Sequence, residues 1–177
     1  MLQFIKIVFL FLFINNTVTA AGYENVFDIV KFSHVQSIDI SGSKIFYHGH
    51  SRDETKRYLN DISTMSQELQ SYYHDSKKCS DVTLNVYSVD FDTLNNRDIF
   101  SFLSWEEWDN KNIGGIYDTR FSPHSSAAIF ISTNRGDKKT TSILAHEIAH
   151  YWQHTRCLGQ NEEGARMFSE LYISGKT

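Results

Sequence analysis

Two histidines four residues apart, with a glutamate directly after the first, form His146-Glu147-Ile148-Ala149-His150 inside the stretch TSILAHEIAHYWQH. On an α-helix, positions four apart differ by about 40° around the axis and about 6 Å along it. Both imidazoles can then reach one point from one side. Zn²⁺ takes neutral His nitrogens at about 2.0–2.1 Å, and a catalytic site keeps one position for water. Glu147, beside the first His, can serve as general base toward that water. The same five letters also arise on a solvated, charged helix face, so the surrounding chain has to separate the two readings.

Along the same helix Leu144, Ile148 and Trp152 recur at spacing four, with Ile143 and Tyr151 flanking. That apolar stripe is the core side, and His146 and His150 occupy a neighbouring face. His154 continues the series but lies about 12 Å along the axis from His146, too far to share a metal, and reads as a polar surface residue. Gly159 is a fitting helix stop. Asn161 can cap a further helix that opens with Glu162 and Glu163 and runs through Phe168, Leu171 and Tyr172. A helix that follows a tight turn can fold back and offer a carboxylate to the metal. Acids in a first turn are also ordinary partners of the helix dipole.

The elements that must position this helix are read from the rest of the chain. Residues 1–20 hold Lys6, an apolar run from Ile7 to Ile14 and the small residues Val18-Thr19-Ala20. This is the pattern of a cleaved secretory signal, too short for a membrane anchor of about 20 apolar residues. Residues 21–177 are then expected as a single domain, secreted or periplasmic, with no stable membrane anchor after cleavage. Losing Lys6 and no acid moves the formal charge from -4 to -5, and no basic cluster speaks for nucleic acid. Cys79 and Cys157 are the two cysteines, and an oxidising compartment favours a bond between them.

Val35–Ile40 alternates in part, Ser41-Gly42-Ser43 is a turn signal, and Lys44–His48 reads as a strand. Tyr58, Ile62, Met65, Leu69 and Tyr72 then recur at helical steps within about Asp53–His74, with Ser51 or Asp53 as cap. Val82–Val89 is a strand at period two. Phe91–Asn112 is an irregular connection whose Trp105 and Trp108 either pack or line a substrate groove. Ile113–Thr119 reads as a short strand bent by glycines, and Ala127–Ser132 as another. Residues 133–137 turn the chain into the motif helix. Ala127–Ser132, just before that helix, is placed to be a sheet edge on which a peptide could pair through its backbone, or else a core strand.

HEIAHYWQ, a turn and NEEGARMF resemble the zincin metallopeptidases, in particular the gluzincin branch, over about residues 113–173. Members of that branch carry a Glu ligand on the helix after HExxH, commonly as ExxA, which Glu162-Glu163-Gly164-Ala165 matches with Glu162 leading. Ala165, Phe168 and Tyr172 extend the row that Glu162 heads, whereas Glu163 heads the more polar Met167, Glu170 and Ser174. Glu162 is therefore the expected third ligand and Glu163 its alternative. The metzincin pattern is disfavoured, since Gln153 and Arg156 stand where it needs Gly and His. The resemblance implies an α+β, minimal zincin-like domain: a small mixed sheet on a long helix and the HExxH helix, followed by a C-terminal helix. It implies a Zn²⁺ peptidase with His146, His150 and Glu162 on the metal, Glu147 as base and a peptide or protein as substrate. Tyr172, Tyr117 and His124 are candidates for stabilising the oxyanion. The rivals are a zincin-fold binding or immunity-type protein that processes nothing, and a structural domain with an incidental polar face.

Overall fold

The computed structural model describes residues 32–89, 114–122 and 126–175, with the side chains of 120–122 left aside. The expected signal peptide, the connection bearing Trp105 and Trp108, and His124 lie outside the described residues. Strands β1 (His34–Ile40) and β2 (Ser43–Gly49) form a hairpin closed by Ser41 and Gly42, with φ of 50° and 75°. Two left-handed residues in a two-residue loop match the right-handed twist of the strands they join. Helix α1 (Arg52–Tyr72) starts where the Ser51 hydroxyl accepts the Glu54 N–H, which selects Ser51 over Asp53 as the cap.

Strands β3 (Thr83–Val89), β4 (Gly115–Ser122) and β5 (Ser126–Ser132) are followed by helices α2 (Asp137–Thr155) and α3 (Glu162–Ser174). The five strands lie in the order β1-β2-β3-β5-β4, with β3 parallel to β2 and to β5 and the outer pairs antiparallel. This is the expected α+β arrangement, with one strand more than the pattern suggested. Among the described residues β1 pairs on one side only, and it is half-buried on alternate residues, so its sequence carries half of a strand's usual signal.

Of the two readings of Ala127–Ser132, sheet edge or core strand, the structure selects the core strand. Those residues belong to β5, which is enclosed between β3 and β4, and the edge next to the motif helix is β4. Residues Ala127 through Ser132 are all buried, as a strand covered on both faces requires.

One sheet face meets the helices. Ile45, Tyr47, Leu84, Val86, Ala127, Ile129 and Ile131 point into a core completed by Ile62, Met65 and Leu69 of α1 and Leu144, Ile148 and Trp152 of α2. Ala165 and Phe168 seat α3 on the same core. The stripe expected on the motif helix is thus the buried one. Cys79 and Cys157 are bonded, with Cα atoms 6.1 Å apart. The bond fastens the end of α2 to the segment that leads into β3, where Cys79 and Ser80 N–H groups also donate to the Thr155 carbonyl.

The end of α2 departs from expectation. Cys157, with φ of 55°, is the first left-handed residue, its N–H donating to the His154 carbonyl and the Leu158 N–H to that of Gln153. That bond pair is a Schellman ending, a place usually given to glycine. Gly159, the expected stop, lies two residues further on, also left-handed. Among the described residues, no helix is long and apolar enough to cross a membrane.

Candidate active site

Helix α2 carries His146, Glu147 and His150, and α3 turns back after residues 156–161 to bring its first residue against them. The local sequence explains the return. α2 ends in the Schellman turn, Asn161 accepts the Gly164 N–H as N-cap, and Ala165 and Phe168 bury the inner side of α3.

His146 Nε2 and His150 Nε2 lie 3.1 Å apart. Glu162 places Oε2 3.2 Å from His146 Nε2 and Oε1 3.3 Å from His150 Nε2. Tetrahedral ligands at about 2.0–2.1 Å from one ion sit about 3.3–3.4 Å from each other, so the triangle has the size of one metal's coordination shell. The donor chemistry fits as well: two imidazoles and one carboxylate, able to hold a metal ion with a further position open. The Glu162 side chain is 80% exposed, so this corner faces solvent, while His150 is buried. Glu163 is exposed and takes no part in the triangle.

Glu147 is buried, and its carboxyl is pushed up to about 8, first by burial and then by the Glu162 charge. The Tyr117 backbone N–H, donating to that carboxylate, pulls the other way. This N–H belongs to β4, the outer strand of the sheet among the described residues, so Glu147 is docked on that strand. His146 is held below the usual imidazole value by burial and by His150, against the pull of Glu162.

Two glycines allow that docking. A Cβ on Gly115 would come 2.9 Å from Glu147 Oε1 and 2.5 Å from Ile143 Cγ2, and one on Gly114 would overlap the Ile143 side chain. The glycines expected to bend β4 therefore serve as space for helix α2.

His154 is not the free surface residue expected of it. It is partly buried, and its Nδ1 lies 2.6 Å from the Tyr117 hydroxyl. The Tyr117 ring lies nearly parallel to His150, with centroids 6.5 Å apart, and burial raises its phenol well above the usual range. Of the three oxyanion candidates, Tyr117 thus stands beside the triangle with its hydroxyl engaged by His154. Tyr172 instead packs on Phe168, its hydroxyl raised to about 12 by burial and by Asp61 and Glu68 of α1.

Sequence reasoning passed over Gln153, whose buried amide touches both His150 and Asn161. Its place three residues after His150, on the same helix face, was the available signal.

A search of curated proteins returned no match. Residues 28–172 match the sequence model of a family described as a peptidase of plants and bacteria. That span takes in every described strand, helix α2 and α3 as far as Tyr172, and the chain belongs to this peptidase family.

Proposed function

We propose that the chain is a secreted or periplasmic zinc metallopeptidase of the gluzincin type, its residues 1–20 removed as a signal peptide. His146, His150 and Glu162 hold the ion, and Glu147 is the general base. The observation that carries this reading is the 3.1–3.3 Å triangle of donors with a buried carboxylate next to it, itself bonded to the edge strand.

Zinc held there supplies Lewis acidity toward a carbonyl oxygen and toward water. The chain supplies the rest. Strand β4 offers its outer edge to an extended peptide, which aligns the scissile bond along α2 without demanding particular side chains. A Glu147 carboxylate oxygen takes the proton of the attacking water and returns it to the departing amine nitrogen.

The test has three arms: zinc content after purification without chelator, cleavage of an unfolded protein with and without a chelator, and the Glu147→Gln variant. The expected result is bound zinc, chelator-sensitive cleavage, and a loss of about 10²–10⁴-fold in Glu147→Gln with zinc retained. Zinc without cleavage in the wild-type protein identifies a binding protein; no zinc uptake overturns the metal reading.

A further inference from the structure

Gln153 is 2% exposed, and its amide bonds both to the site and to the end of α1. Oε1 accepts the Asn161 N–H at 2.9 Å, and Nε2 donates to the Asn161 carbonyl at 3.1 Å and to the Tyr73 hydroxyl at 3.2 Å. The two backbone groups of Asn161 fix which end of the amide is oxygen, because an N–H needs an acceptor and a carbonyl a donor. The atom 3.1 Å from His150 Nδ1 is therefore Oε1. An oxygen without hydrogen can only accept, so this contact calls for the His150 proton on Nδ1, which leaves the Nε2 lone pair for an ion shared with His146 and Glu162.

The same amide grips the N-cap of α3, one residue before Glu162. Gly164 keeps the first turn of α3 close to it, since a Cβ there would lie 3.2 Å from Gln153 Nε2. One side chain thus touches a would-be ligand on α2 and the start of the helix that brings the third.

We infer that Gln153 is a positioning residue that sets both the tautomer of His150 and the placement of Glu162. This rests on the metal-centre reading above. Partners of this kind to a ligating His contribute about 10–100-fold to metal affinity. The loss on removing Gln153 should exceed what a structural residue gives, because two of the three donors depend on it.

The experiment begins with the metal-free wild-type protein at about pH 9, well above the ordinary imidazole value. Nitrogen-resolved NMR should find the His150 proton on Nδ1; a proton on Nε2 overturns the inference without any variant. Zinc affinity is then measured by chelator competition. Gln153→Met should fall by about 10–100-fold and lose the single tautomer. Gln153→Glu keeps an oxygen facing His150 and the Asn161 N–H but gives up the donor to the Asn161 carbonyl, so it should keep the tautomer and lose less affinity than Gln153→Met. A Gln153→Met protein with unchanged tautomer and affinity overturns the inference, as does a Gln153→Glu protein that loses as much as Gln153→Met.

The link to Glu162 is read in a double-mutant cycle. Gln153→Met should cost less affinity in a Glu162→Ala background than in wild type; equal costs overturn that half. If Gln153→Met does not fold, the wild-type tautomer and Gln153→Glu decide. Wild-type protein that binds no zinc overturns the metal reading and this inference with it. Normal zinc binding that none of the Gln153 variants disturbs overturns this inference alone.

Discussion

Gly115 of β4 and Glu147 of α2 are in contact through the absence of a side chain: a Cβ on Gly115 would stand 3.0 Å from Glu147 Cγ and 2.9 Å from its Oε1. Gly115→Ala should push Glu147 out of place and the helix off the strand. Overpacking of this sort costs about 1–3 kcal/mol. A displaced catalytic group about 1 Å from its place costs about 10²-fold in rate. Urea unfolding and kcat measure the two separately. Ile143→Ala, which removes the Cγ2 atom that the new methyl would meet, should return part of the stability in the double variant.

Glu162 and Glu163 are adjacent acids, of which Glu162 reaches the histidines. Losing even a supporting partner of a metal ligand costs about 10–100-fold in affinity, so Glu162→Ala should lose zinc by more than that. Glu163→Ala should bind as wild type does. Chelator competition on both decides; zinc loss confined to Glu163→Ala would mean that α3 presents its other carboxylate.

The bond between Cys79 and Cys157 closes a loop with a sequence separation of 78. The chain-entropy argument gives about 4 kcal/mol for a loop of that size. The Cys79→Ala, Cys157→Ala double variant should unfold at correspondingly lower denaturant. In place of alanine at 157, glycine should recover about 1 kcal/mol, because φ there is 55° and the left-handed region is costly for a residue with a Cβ.

His48 lies with its ring 4.3 Å from Tyr87 and its Nε2 3.2 Å from Asn85 Oδ1. Burial lowers its pKa below the ordinary value, partly offset by Asn85. The unfolded chain therefore takes up a proton at a pH where the folded one does not. The contribution to stability is complete above about pH 6.5 and shrinks as the pH falls through that value toward the lowered one. Denaturation midpoints against pH for wild type and His48→Gln should diverge in that sense, with the wild-type curve falling more steeply. Parallel curves would refute it.

The sequence carried the helix pair well. HExxH fixes a helical face, Asn161 a start and Ala165 and Phe168 an inner side, all of them local relationships within a few residues. The triangle follows once the turn after α2 brings the helices together. Sheet order was not legible in the same way. Ala127–Ser132 is apolar throughout, and nothing local says whether such a strand lies at an edge or between two others. Pairing of β5 with β3 on one side and β4 on the other is settled by contacts across distant residues. The same reason hid the Tyr117–His154 pair, 37 residues apart in sequence.

The disulfide has a further consequence, one of connectivity. Strands β3, β4 and β5 and helix α2 all lie between residues 79 and 157. A single backbone cut anywhere in that span leaves one covalent molecule, with the two new ends tethered to the same knot. His146, Glu147 and His150 stay joined through it to the pieces on both sides. For a peptidase that works among other peptidases, or among copies of itself, nicking inside this ring need not mean dissociation. The break would show as two fragments on a gel only after reduction.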